Sequence, residues 1–235
     1  FNLLASLGIR LVLVHGARPQ IEQHLAKNNL DDTYHQSIRM TDSDTMQCVK
    51  EAVGRVRVEI EALLSMGLPN SPMANADIRV AGGNFITAQP IGVINGIDLM
   101  HTGAVRKVDV DALNDRMEFG EVVLLSPLGY SPTGEVFNVT LEDVATATAI
   151  ALDADKLMFL MDTDGVHDKV DALLSELTVA QSQKILSSKQ KLPDDVNIFL
   201  PCAIRACEGG VERTHLISRH TDGAVLQELF SDDGI

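Results

Sequence analysis

Apolar residues along this chain fall into two alternating patterns: short continuous runs, and longer stretches with apolar side chains three and four residues apart. The first run, residues 9–15, contains Ile9, Leu11, Val12, Leu13 and Val14 and predicts a buried parallel strand. A turn follows at Gly16, Ala17 and Arg18. Pro19 then suits the first position of a helix, where its missing N–H would have no intrahelical partner anyway. Thr41 is the expected N-cap of a long helix, with Asp44 three residues on as a capping-box variant. Met46, Val49, Val53, Val56, Ile60 and Leu63 supply its apolar face, and Gly67 and Pro69 its stop.

Between residues 77 and 108 the pattern changes to short apolar pieces (78–80, 85–86, 91–94) broken by Gly82, Gly83, Pro90, Gly92 and Gly96, which predicts hairpins or a small antiparallel sheet. Parallel-type runs resume afterwards, with strands expected at 122–125, 157–161, 196–200 and 214–218. Helices are expected at 141–152, at about 179–186, from Pro201 to Gly209 and Gly210, and at 223–230. Strands alternating with helices imply an α/β fold, a three-layer α/β/α sandwich with a mostly parallel open sheet.

Composition narrows the function. In 235 residues, 45% are hydrophobic but only 4% aromatic, so the core must be aliphatic. A net charge of −14 disfavours nucleic acid and anionic membranes as partners and suits a cationic small molecule. No apolar run approaches the roughly 18 residues of a membrane span. Cys48, Cys202 and Cys207 lack metal or disulfide spacing and read as reduced thiols of a cytoplasmic protein. The chain opens at Phe1 inside an apolar segment and closes just after a helical pattern, which reads as a piece of a longer polypeptide.

Among residues that could carry chemistry, Asp162, Asp164 and Asp168 have metal-like spacing without the full calcium-loop pattern, so no metal is expected. His101 reads as a turn histidine, and Arg10, Arg55, Arg57 and Arg79 as surface charges. Taken alone, Glu228 reads as a solvated helix residue and Gly234 as a C-cap.

Three stretches carry a resemblance to a known family: residues 11–21 (Leu11 to Ile21), residues 82–88 (Gly82 to Ala88) and residues 125–135 (Leu125 to Glu135). They resemble bacterial N-acetylglutamate synthases, and the likeness covers essentially the whole chain. Those enzymes join an amino-acid-kinase-like domain to a GNAT acetyltransferase domain. They acetylate glutamate from acetyl-CoA in the first step of arginine biosynthesis, and arginine inhibits them. The resemblance implies that residues 1–235 are the amino-acid-kinase-like regulatory domain, truncated at the N-terminus, with the acetyltransferase domain absent from this chain. It implies no cofactor here, acetyl-CoA as co-substrate of the parent protein, L-arginine as allosteric effector, and a homo-oligomer, with a hexamer the size the family suggests.

The resemblance also implies a degenerate kinase site. Acetylglutamate kinases carry three glycines where this chain has Gly16, Ala17 and Arg18, and glycines let backbone N–H groups approach a phosphate. Two readings of Arg18 stand, an anion clamp or part of a loop that no longer holds phosphate. Cys202 stands where the kinases place a catalytic lysine, and a thiol cannot supply that permanent charge. Glu142 replaces their catalytic Asp, with a carboxylate displaced by about 1 Å. His215, Glu228 and Gly234 match the arginine signature. A carboxylate at Glu228 can accept the parallel N–H fork of a guanidinium, Gly234 allows close backbone approach, and residue 215 is expected at a strand end with carbonyls to offer. Three functions therefore compete: an arginine-sensing regulatory domain, an active acetylglutamate kinase, and an inert oligomerisation scaffold.

Overall fold

A computed structural model of the chain describes residues 1–66, 78–168, 170–188 and 191–230. The chain divides into two compact units, Phe1–Val144 and Ala145–Ile235.

The first unit is organised by β9 (Val122–Leu125), a strand buried at every position. A strand covered on both faces must satisfy its backbone within a sheet. β1 (Val12–Val14) pairs with it in parallel on one side and β4 (Val80–Ala81) in parallel on the other. Val80 therefore belongs to the parallel sheet, a correction to the antiparallel assignment of residues 78–80. The rest of that prediction is observed. β5 (Ile86–Pro90) runs antiparallel to β8 (Gly103–Val108), and between them β6 (Val93–Ile94) and β7 (Ile97–Asp98) form a hairpin. Its turn residues Asn95 and Gly96 both have positive φ, 51° and 83°, as a two-residue hairpin turn requires. β10 (Leu128–Tyr130) and β11 (Val136–Asn138) complete this second sheet.

The helices α2 (Arg18–Lys27) and α3 (Ser43–Leu64) pack together. Ala17, Ile21 and Leu25 meet Met46, Val49, Ala52, Val53 and Val56 in one buried cluster, with Ile60 packed against it. The expected apolar face of α3 holds as far as Ile60, but Leu63 is 64% exposed. The expected stops Gly67 and Pro69 lie outside the described residues.

The N-cap of α3 is Asp42 and not Thr41. The Asp42 carboxylate accepts from the Thr45 N–H at 2.7 Å. Thr41 is fully buried, and its Oγ1 accepts from Asn138 Nδ2 at 3.1 Å and bonds Thr102 Oγ1 at 2.9 Å. Adjacent residues of near-equal capping ability were separated by tertiary contacts, since Thr41 serves a buried polar network that Asp42 does not enter. Between α2 and α3 lies a short hairpin, β2 (Tyr34–His35) and β3 (Ile38–Arg39). In the first unit α1 (Asn2–Ser6) precedes β1, and α4 (Val110–Glu118) packs on β9.

The second unit is built on β12 (Lys156–Met161) and β13 (Arg213–Ser218), paired in parallel over their full length. α5 (Leu141–Ala151) leads into it, followed after β12 by α6 (Val179–Ser187), α7 (Asp194–Glu208) and α8 (Ala224–Phe230). The strand expected at 196–200 is instead part of α7, and Pro201 lies inside that helix. Val196, Leu200, Ala203 and Ile204 are all buried, a helical spacing that runs straight through the proline. Pro201 deprives the Asn197 carbonyl of its intrahelical donor, but it sits on the exposed face, where water can take that place. Phe199 stacks on Phe159 of β12 with ring centroids 4.8 Å apart.

Replacing the true cap tests the assignment at α3. Asp42→Ala should lower stability by about 0.5–2 kcal/mol, read from urea unfolding. A loss for Asp42→Ala within measurement error of zero would return the capping role to another residue.

Candidate functional site

The most developed site lies in the second unit. A pocket of about 130 Å³ is bounded by β13, by α6, α7 and α8, and by the loop after β12. Asp164, Ser182, Cys207, Thr214, His215 and Glu228 bring polar atoms to its wall. Its volume is comparable with engineered cavities of about 150 Å³ that hold one benzene ring, so it suits the planar head of a ligand.

His215 and Glu228, matched from sequence, are brought together here. His215 Nδ1 lies 2.6 Å from Glu228 Oε1, and the two side chains are only 13% and 14% exposed. Glu228 is therefore not a solvated helix residue. His215 is also not at a strand end. It sits within β13, opposite Met158, so its backbone belongs to the ladder and its side chain faces Glu228. Burial lowers the His215 pKa below the ordinary 6.5, outweighing the upward pull of Glu228, with Lys156 and Arg213 adding to the lowering. Near neutral pH the imidazole is uncharged, and Nδ1 carries the hydrogen donated to the carboxylate. Nε2 is then an acceptor, and it is buried with no partner among the described residues. An unpaired buried acceptor costs roughly 1–3 kcal/mol. Cys207 Sγ stands 3.5 Å from Thr214 Oγ1 on the same wall. Gly234 lies outside the described residues.

The residues matched to a kinase site fall in both units. Gly16 is required by packing, since a Cβ there would stand 2.9 Å from Leu141 Cδ2. Ala17 is buried in the cluster between α2 and α3, so its methyl group has a structural use. Arg18 is 64% exposed and turns along its own helix, 3.2 Å from Glu22 Oε1 and 5.3 Å from the centre of the Tyr34 ring. Its charge is engaged by those neighbours, which favours the reading without an anion clamp. Glu142 stands half-buried in the first turn of α5. Cys202 follows Pro201 in the middle of α7, not at a helix start as its alignment with a catalytic lysine supposed.

The remaining candidates disperse. Asp162 meets Arg219 at 2.6 Å and His220 at 3.1 Å. Asp164 meets His167 at 3.6 Å, while Asp168 accepts from the N–H groups of Val170 and Ala172. Among the described residues no group of three His, Cys, Asp or Glu side chains could hold a metal ion. His101 lies 3.4 Å from Ser43 Oγ, beside the start of α3, as befits a turn residue. Arg55 and Arg57 pair with Glu59 and Glu61 on the outer face of α3, and Arg10 and Arg79 are exposed.

Sequence reasoning missed two polar centres in the first unit and one in the second. Arg39 is 8% exposed, paired with Asp32 and lying 4.9 Å over the Tyr34 ring. His15 uses Nδ1 to donate to the Gly16 carbonyl at 3.1 Å, leaving Nε2 to accept from Ser126 Oγ at 2.8 Å. Burial lowers its pKa, against the opposing effect of that carbonyl, and Arg57 lowers it further. In the second unit Asp195 gathers the N–H groups of Asp162, Thr163 and Val196 and the hydroxyl of Thr163. Burial opposes its ionisation, but these donors outweigh it and hold its pKa below the usual carboxylate value. Pro193 followed by two acids was the available signal for this helix start, hidden by the apolar run behind it.

The model of the amino acid kinase family matches residues 1–218. The chain belongs to that family. An amino-acid acetyltransferase of Azotobacter vinelandii is 50% identical over 233 residues, which cover 99% of this chain and 53% of that relative. The chain thus spans about half the length of the curated relatives it matches. An N-acetylglutamate synthase from Neisseria gonorrhoeae, complexed with coenzyme A and L-arginine, superposes with a TM-score of 0.91 at 33% identity, covering 100% of this chain and 54% of that one. The same synthase complexed with coenzyme A and N-acetyl-glutamate gives 0.87 at 34% identity, covering 99% and 52%. The α/β, amino-acid-kinase-like fold class expected from the sequence holds.

His15 and the largely buried His215 make stability depend on pH. Both have folded pKa values below the ordinary 6.5, so the unfolded chain binds protons more readily. Stability should accordingly fall as pH drops below about 6.5, and His15→Asn should blunt that loss in urea titrations across this range.

Proposed function

We propose that this chain is the arginine-sensing regulatory part of an N-acetylglutamate synthase, whose full-length protein transfers acetyl from acetyl-CoA to L-glutamate. The observation that carries this reading is the buried Glu228 carboxylate on a pocket of about 130 Å³, held by His215. It lies in a fold that superposes closely on a synthase complexed with L-arginine. A carboxylate oxygen accepts more than one hydrogen bond, so Glu228 can keep its contact with His215 and still receive a guanidinium fork. The size of the pocket suits the planar head of arginine. Acetyl transfer would belong to the part of the relatives' length that this chain does not match. Cysteines 48, 202 and 207, none of them in a disulfide, support a cytoplasmic setting, and exposed apolar residues at Phe1, Leu3, Leu7 and Ile9 are ones a homo-oligomer would bury.

The kinase alternative is disfavoured because Ala17 is committed to the core, Arg18 to Glu22 and Tyr34, and Cys202 to the middle of a helix. A coupled assay with ATP and N-acetylglutamate should show no ADP release at a typical kinase rate of about 1–100 per second.

Calorimetric titration tests the arginine site. L-Arginine should bind this chain, and L-lysine much more weakly, because an ammonium lacks the planar fork. Glu228→Gln should cost about 2–5 kcal/mol of arginine affinity. Equal affinity of wild type and variant would remove Glu228 from the site.

A further inference from the structure

We propose that His215 is a proton-operated gate on this pocket: its neutral imidazole donates to Glu228 through Nδ1 and accepts a ligand N–H at Nε2, so protonation of the ring expels a cationic ligand. The inference rests on the reading of the pocket as an arginine site and adds its regulation.

The geometry supplies the argument. His215 Nδ1 at 2.6 Å from Glu228 Oε1 fixes the tautomer, because a carboxylate can only accept. The hydrogen is therefore on Nδ1 and the lone pair on Nε2. That lone pair is buried on a residue lining the pocket and has no partner among the described residues. A guanidinium has N–H groups to spare beyond those a single carboxylate can take, and it never deprotonates in proteins. It can thus satisfy Glu228 and His215 together.

Adding a proton reverses both contributions. Nε2 becomes a donor facing a donor, and a second positive charge stands beside the ligand. The groups around the ring set where this happens. Glu228 on α8 favours the proton, whereas burial, Lys156 on β12 and Arg213 on the same strand disfavour it and prevail. The other titratable residues lining the pocket are Cys207 on α7 and Asp164 in the loop after β12. The ring therefore stays neutral near pH 7 and gains its proton only in more acidic solution. If the protonated form cannot bind, the apparent dissociation constant is the intrinsic one divided by the neutral fraction, and it rises by up to about tenfold per pH unit below the pKa.

Calorimetry of L-arginine with the full chain between about pH 8 and 5 reads this directly. The expected result is constant affinity at the upper end and progressive weakening below 6.5, the ordinary histidine value. In the acidic range, titrations in buffers of different ionisation heat should show release of up to one proton per arginine. In His215→Asn an amide supplies a donor and an acceptor but does not titrate, so the slope should disappear. Three results would overturn the gate while leaving the arginine site intact: binding that is flat with pH, no proton release, or an unchanged slope in His215→Asn. Absence of arginine binding at every pH would overturn the site reading and the gate together.

Discussion

The parallel ladder between β12 and β13 constrains almost everything in the second unit. Its register places His215 opposite Met158 and runs through Met161 and Ser218 at the far ends. Two paired strands cannot stand alone in water, so their apolar side chains need cover. α7 supplies it with Val196, Leu200, Ala203 and Ile204, and with Phe199 stacked on Phe159. The loop leaving β12 is then tied to the start of α7 by the Asp195 carboxylate. Once strands, helix and loop are fixed in this way, α8 can present Glu228 to His215 on the wall of the pocket.

That space holds an unusual balance of charge. A largely buried carboxylate would ordinarily be costly, and a histidine is a weak answer to it because burial keeps the ring neutral. The pair is satisfied at Nδ1 and short of a donor at Nε2. Such a pocket offers a ligand one buried acceptor, His215 Nε2, beside a carboxylate. The first unit meets its own buried charge differently, by surrounding Arg39 with Asp32 and the Tyr34 ring, leaving no comparable demand.

Much of the fold was legible in the sequence, for reasons that can be given residue by residue. Residues 122–125 announce a doubly buried strand because nothing in them is polar, and Asn95 with Gly96 marks a hairpin by the conformations they favour. The run 196–200 misled because a short apolar stretch fits a buried strand or a buried helix equally well, and Pro201 looked like a beginning. The hairpin of Tyr34 and Arg39 gave no warning, since Gln36 and Ser37 adopt positive φ without glycine. The site divides in the same way. His215 and Glu228 stood out only through family resemblance, and their contact depends on how α8 returns to β13. His15 meets Ser126 and Asp195 meets Asp162 and Thr163, partners far along the chain that no local pattern names.

The aromatic poverty of the chain has an optical consequence. It contains no Trp and only two Tyr residues. Tyr34 and Tyr130 both belong to the first unit, in β2 and β10. Tyrosine emission from this chain thus originates in the unit that does not hold the pocket around His215 and Glu228. Changes confined to His215, Glu228 and their surroundings have no tyrosine or tryptophan to report them. The two units can therefore be followed separately: the first by its tyrosine emission, the second by heat or by the imidazole proton signals of His215.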